Sequence, residues 1–112
     1  MSPGSLKQQW FYILLALAGG DLHGSGIERE VLSLSSGRVR LWPVALYGNL
    51  DALTERGLIV ELGERERPPG ESGRKKYYRL TSRGRRVLEE EARHLAAIAD
   101  QTRARLGETE SP

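Results

Sequence analysis

The sequence predicts a mainly α-helical domain that carries a small β-sheet. Three observations predict it. Apolar residues recur at helical spacing in four stretches, Gly and Pro mark where those stretches start and stop, and only three short segments have the alternation or β-branched content of strands. At 112 residues the chain is long enough for one modest core and too short for two independent ones. No apolar run approaches the ~18 residues that a membrane-crossing helix requires, so the expectation is a soluble protein with no membrane partner. The absence of cysteine excludes a disulfide framework, a thiolate metal site and a cysteine nucleophile, and it fits a cytoplasmic setting.

The elements follow in order. Residues 1–5 read as a flexible leader or an artificial scar. Over residues 6–18, Trp10, Ile13, Leu14 and Leu17 keep helical spacing until Gly19-Gly20 stops the helix, and the run lacks the cleavage pattern of a secretory signal. Residues 21–26 are rich in turn formers. Ile27, Val31, Leu32 and Leu34 then mark a second short helix that breaks at Ser35-Ser36-Gly37. Arg38-Val39-Arg40-Leu41 alternates polar and apolar residues, which predicts a short strand.

Residues 42–59 read as one capped helix. Pro43 suits its first turn, since the ring presets a helical φ and the missing N–H would have no partner there, and Gly57 suits the left-handed position that ends it. Leu46, Leu50 and Leu53 share one side, leaving Val44, Gly48, Asp51 and Glu55 on the other with Tyr47 on the flank. Residues 58–62 and 75–80 then read as the two strands of a hairpin. Its long polar tip, residues 63–73, holds Pro68-Pro69-Gly70 and projects as a wing. Tyr77 and Tyr78 are adjacent on a strand and point to opposite faces, so one is expected in the core and the other exposed. Thr81 is a natural N-cap. Beyond it Leu88, Ala92, Leu95, Ala99, Thr102 and Leu106 repeat in steps of four and three, a heptad seam for a long helix that lies against another helix.

Helix, helix, short strand, helix, wing and long helix is the layout of a winged helix-turn-helix, in which a third helix enters the major groove beside a basic hairpin. The charge distribution agrees. Residues 74–86 hold seven Lys and Arg and no acid, on the return strand and the next helix's first turns, where a wing meets phosphates. Candidate DNA-binding residues are Val44, Ala45, Tyr47 and Gly48 on the third helix, and Arg74, Lys75, Lys76 and Arg79 on the wing. The third helix holds no Arg or Lys between Pro43 and Glu55, so apolar contacts from Val44 and Ala45 to thymine methyls and groove shape would have to supply specificity. No catalytic triad or metal ligand set is present: His23 and His94 are far apart in sequence and the carboxylates are interleaved with arginines. The expectation is therefore no enzyme, no cofactor and no metal.

The motifs Tyr12-Ile13-Leu14-Leu15-Ala16-Leu17, Leu22-His23-Gly24-Ser25-Gly26-Ile27, Leu46-Tyr47-Gly48, Leu53-Thr54-Glu55-Arg56-Gly57-Leu58-Ile59 and Tyr77-Tyr78-Arg79-Leu80-Thr81-Ser82-Arg83-Gly84, with Arg38-Val39-Arg40-Leu41, together resemble the PadR family of transcriptional regulators over about residues 10–106. The single short C-terminal helix is similar to the smaller PadR subfamily. The resemblance implies a bacterial homodimeric repressor that binds double-stranded DNA, and relatives that sense drugs or phenolic compounds imply a small aromatic effector, with Trp10 and Trp42 as cavity-lining candidates if they are not plain core. Here Ala45 stands where the family usually has Ser or Thr, and Asp51 and Glu55 stand where basic residues are usual. The expected organisation is a winged helix-turn-helix DNA-binding domain over residues 6–80 and a C-terminal dimerisation helix over 81–106. The rival expectation keeps the fold but gives it a protein partner in place of DNA.

Overall fold

In the computed structural model, which describes residues 6–68 and 75–107, helix α1 (Gln8–Ala18) buries Trp10, Ile13, Leu14, Ala16 and Leu17. Strand β1 (Leu22–His23) leads directly into α2 (Gly24–Leu34), whose first turn is capped by His23: its Nδ1 accepts the Gly26 N–H at 3.1 Å. Helix α3 (Pro43–Glu55) has Pro43 in its first turn and buries Leu46, Leu50 and Leu53, and Gly57 just beyond it takes a φ of +75°. Strands β2 (Ile59–Glu61) and β3 (Tyr77–Leu80) pair antiparallel, and α4 (Ser82–Leu106) is the last element among the described residues, following Thr81, whose hydroxyl accepts the Gly84 N–H at 3.0 Å. One 3₁₀ turn, Glu64–Glu66, starts the wing. The mainly α architecture with a small three-stranded sheet is the predicted winged helix-turn-helix fold.

The short strand is not where alternation put it. Residues 38–41 are not in a strand, and β1 instead takes the outer edge of β3, with Leu22 opposite Tyr78 and His23 opposite Tyr77. The alternation of Val39 and Leu41 is real, because both are buried, but Ser35 Oγ rather than a strand accepts the Val39 N–H at 2.9 Å. Pattern reports burial, and pairing needs a free edge. The tyrosines also differ from expectation, since both are buried. Tyr78 joins the main core, while Tyr77 is covered from the other face by the edge of His23, ring centroids 5.3 Å apart.

Helix α4 crosses the β2 end closely. A Cβ on Gly84 would collide with the Leu58 carbonyl oxygen, so only glycine permits this approach. Leu88 is buried in the chain's own core at 8% exposure, a correction to its place in an exposed seam. The first three turns of α4, which hold Gly84, Leu88 and Glu91, therefore pack on the body.

Asp21 ties the β1 turn to the wing. Arg79 donates to both its carboxylate oxygens, at 3.0 and 2.8 Å, and reaches Glu66 at 3.5 Å. The Arg79 hydrogen bond holds the Asp21 carboxyl below its ordinary value. A carboxyl lowered in the folded state contributes stability above its unfolded value, about 3.9, and loses it as pH falls through the folded value. Asp21→Asn is thus expected to lower the thermal midpoint at neutral pH, only slightly because both side chains are partly solvated, and to match wild type once the pH has fallen far enough to protonate Asp21 in the folded state. An equal deficit at both pH values would show that the pair contributes nothing.

Candidate nucleic-acid interface

Anchoring Leu46, Leu50 and Leu53 in the core forces the opposite face of α3 outward. Val44 is 89% exposed, and Ala45, Gly48 and Asp51 are exposed beside it. Tyr47 is half exposed, but its ring is held: the hydroxyl rests so close to Gly24 that a Cβ there would lie 2.5 Å from it. Gly24 thus makes the seat through which α2 orients Tyr47. The helix starts without a side-chain cap, leaving its first N–H groups to other acceptors.

Between α3, the α2 start and β3 lies a cavity of about 510 Å³, lined by His23, Gly24, Ser25, Tyr47, Asp51, Lys75, Lys76 and Tyr78. The fold therefore brings Tyr47 and the lysine pair Lys75-Lys76, which begins 28 positions later in the sequence, to one concave surface, with Asp51 as an opposing charge. Burial, with the Glu61 and Asp51 carboxylates nearby, pushes the Tyr78 hydroxyl up to about 12. Lysines at the rim of a groove attract phosphate, and a carboxylate beside them repels it.

Other candidates are placed differently. Arg74 lies outside the described residues. Arg79 is exposed, yet its guanidinium is engaged by Asp21, which sequence reasoning missed because the partner is 58 residues away. Trp10 is buried: its indole N–H donates to Asn49 Oδ1 at 2.8 Å, and the Lys7 and Arg56 cations lie 5.2 and 5.0 Å from the ring centroid. A cavity of about 300 Å³ between α1 and α4 is lined instead by Leu6, Gln8, Phe11, Tyr12, Glu91 and Leu95. On α4, Leu95 and Leu106 are exposed, Ala92 and Thr102 are exposed between polar neighbours, and Ala99 is half-buried. Ile98, 48% exposed, extends the same stripe and was legible as Leu95 plus three.

Among the described residues no group of three or more His, Asp and Glu is placed to hold a metal ion, and no helix is long and apolar enough to cross a membrane.

Comparison with known proteins adds family to geometry. An uncharacterised 37.1 kDa protein in transposon TN4556 of Streptomyces fradiae is 38% identical over 87 residues, which are 78% of this chain and 23% of that protein, so the chain spans under a quarter of that relative. A PadR family transcription regulator from Clostridium difficile R20291 superposes with a TM-score of 0.73 at 25% identity, covering 90% of this chain and all of that one. Bacillus subtilis PadR, solved in complex with operator DNA, matches at a TM-score of 0.62 and 25% identity over 75% of this chain and 46% of its own. The model of the Transcriptional regulator PadR-like family matches residues 13–108, and the chain belongs to that family of regulators, which are not enzymes.

Proposed function

We propose that this chain is a cytoplasmic, homodimeric transcriptional repressor that binds double-stranded DNA through α3 and the wing. The observation that carries the reading is the shared cavity: Tyr47 from α3 and Lys75 and Lys76 from the wing line one concave surface of a size to admit a strand's phosphates. Val44, Ala45, Tyr47 and Gly48 face the groove, Lys75 and Lys76 meet phosphates, and Arg79 braces the wing through Asp21. Arg74 keeps its phosphate role by position in the sequence. Residues 6–80 form the DNA-binding unit and 81–106 the dimerisation helix, with Ala92, Leu95, Ala99, Thr102 and Leu106 toward the partner. A small aromatic effector fits the reading through the cavity between α1 and α4, with Phe11 and Tyr12 in place of Trp10.

The test is a mobility shift with the DNA upstream of the protein's own gene against a scrambled duplex. A retarded band with the first and not the second supports the reading. No shift with either duplex at low salt favours the rival, a winged-helix module that binds another protein.

The same site predicts a gain. Asp51 lines the cavity beside both lysines, and a unit charge 4 Å from a phosphate costs about 1 kcal/mol in bulk water. Asp51→Asn is expected to tighten binding to any duplex by about fivefold per protomer at low salt, an advantage that fades as salt rises. Fluorescence anisotropy checks this, and an unchanged affinity would place Asp51 away from the phosphates.

A further inference from the structure

Helix α3 has no Arg or Lys between Pro43 and Glu55, so it holds no cation for the two-pronged guanine contact that commonly specifies sequence. The fold supplies one from just outside the helix. Arg40 is exposed two residues ahead of the N-cap Trp42, and its guanidinium carbon lies 4.7 Å from the Trp42 ring centroid. The backbone on either side is fixed. Val39 and Leu41 are buried, and Ser35 Oγ accepts the Val39 N–H. Arg40 is thus held at its backbone by the core and at its tip by an aromatic face.

Trp42 has no evident use to the helix it begins. An N-cap favours Ser, Thr, Asp or Asn, whose oxygen accepts a first-turn N–H, and indole offers no acceptor. The ring is 63% exposed, next to Val44 at 89%, at the end of α3 from which a groove-reading helix contacts base edges. What the ring does is stack with a guanidinium. That stacking limits the rotamers of a long side chain and presents its planar fork already oriented.

We infer that Arg40 reads a guanine edge in the major groove and that Trp42 is its positioning residue, an inference that rests on the DNA-binding reading above. Arg40 donates two parallel hydrogen bonds to guanine O6 and N7 through a planar fork that the Trp42 ring can stack on and pre-orient, which the shorter point charge of a lysine lacks. Lys75 and Lys76, on the wing side of α3, act as point charges on phosphates and carry no sequence information.

The experiment starts from a randomised duplex pool from which the wild-type protein selects its preferred site. Each guanine of that site is then replaced in turn by 7-deazaguanine, which lacks the N7 acceptor. Wild type is expected to lose about tenfold in affinity at one guanine of each half-site. Arg40→Lys, which keeps the charge but loses the stacked planar fork, is expected to bind the selected duplex about tenfold more weakly, to respond much less to that 7-deaza replacement, and to keep the wild-type dependence on salt. Trp42→Ala should reproduce the reduced response, and Trp42→Phe should restore most of it. Both side chains are exposed, so unchanged thermal unfolding separates these effects from loss of fold. If Arg40→Lys binds like wild type and responds as fully to 7-deazaguanine, Arg40 is a phosphate contact or a solvated charge, and the inference fails while DNA binding stands. A wild type that binds duplex but enriches no sequence also overturns it, and one that binds no duplex overturns both readings.

Discussion

Leu95→Asp is expected to turn a dimer into a folded monomer. Helix α4 spans 25 residues, about 37 Å, and its buried residues, Gly84, Leu88 and Glu91, all lie in its first three turns. Beyond them Leu95, Ile98 and Leu106, at 43%, 48% and 68% exposure, recur along one side with Ala99 and Thr102 between, too much aligned apolar surface for a helix facing water alone. In the proposed dimer a second copy of the same helix would cover it with matching heptad spacing. Because a two-fold interface meets each substitution twice, two carboxylates at about 2 kcal/mol each weaken association by roughly a thousandfold. Leu95 is half exposed within the protomer, so helical circular dichroism should persist. Leu88→Asp is the contrast: that side chain is buried at home, and its replacement should cost the fold itself. Sedimentation decides. A wild-type monomer at micromolar concentration sinks the idea, as does a Leu95→Asp dimer.

The parts legible in the sequence are those whose causes are local. Pro43, Gly57 and Thr81 each act within a turn of their own position, and helical spacing placed Leu46, Leu50 and Leu53 on the buried face. What stayed hidden depends on partners far along the chain. Nothing near Leu22 announces that it will take the edge of β3, or that His23 will cover Tyr77 and so bury both tyrosines. A basic residue on a wing reads as a phosphate contact until Asp21 is found against it, as happens with Arg79. Trp10 and Trp42 were indistinguishable as aromatic residues; burial made one a tie between α1 and α3 through Asn49 and left the other exposed under Arg40. Spacing marks which face is covered, but charge pairing and strand edges are settled only by the assembled fold.

Replacing Lys75 and Lys76 together with alanine is expected to change the salt dependence of DNA binding more than any other surface substitution. Each phosphate neutralised contributes about −0.9 to the slope of log affinity against log salt, and a dimer with two such lysines per protomer engages four phosphates through them. The double variant should therefore flatten the slope by about two to four units and lose roughly two to three decades of affinity near 0.1 M salt, for cognate and scrambled duplexes alike. Arg79→Ala provides the internal comparison. Its charge is already balanced by Asp21, with Glu66 beside it, so its removal frees no phosphate contact and should leave the slope almost unchanged while loosening the wing. Tyr47→Ala should differ again. It removes a ring seated on Gly24 at the groove face, costs affinity chiefly for the cognate site, and leaves the slope near the wild-type value. Titrations at four or five salt concentrations distinguish the three variants. A Lys75→Ala, Lys76→Ala protein whose slope equals that of wild type would mean that the lysines at the cavity rim are a solvated face, and that whatever this regulator holds there is not a phosphate backbone.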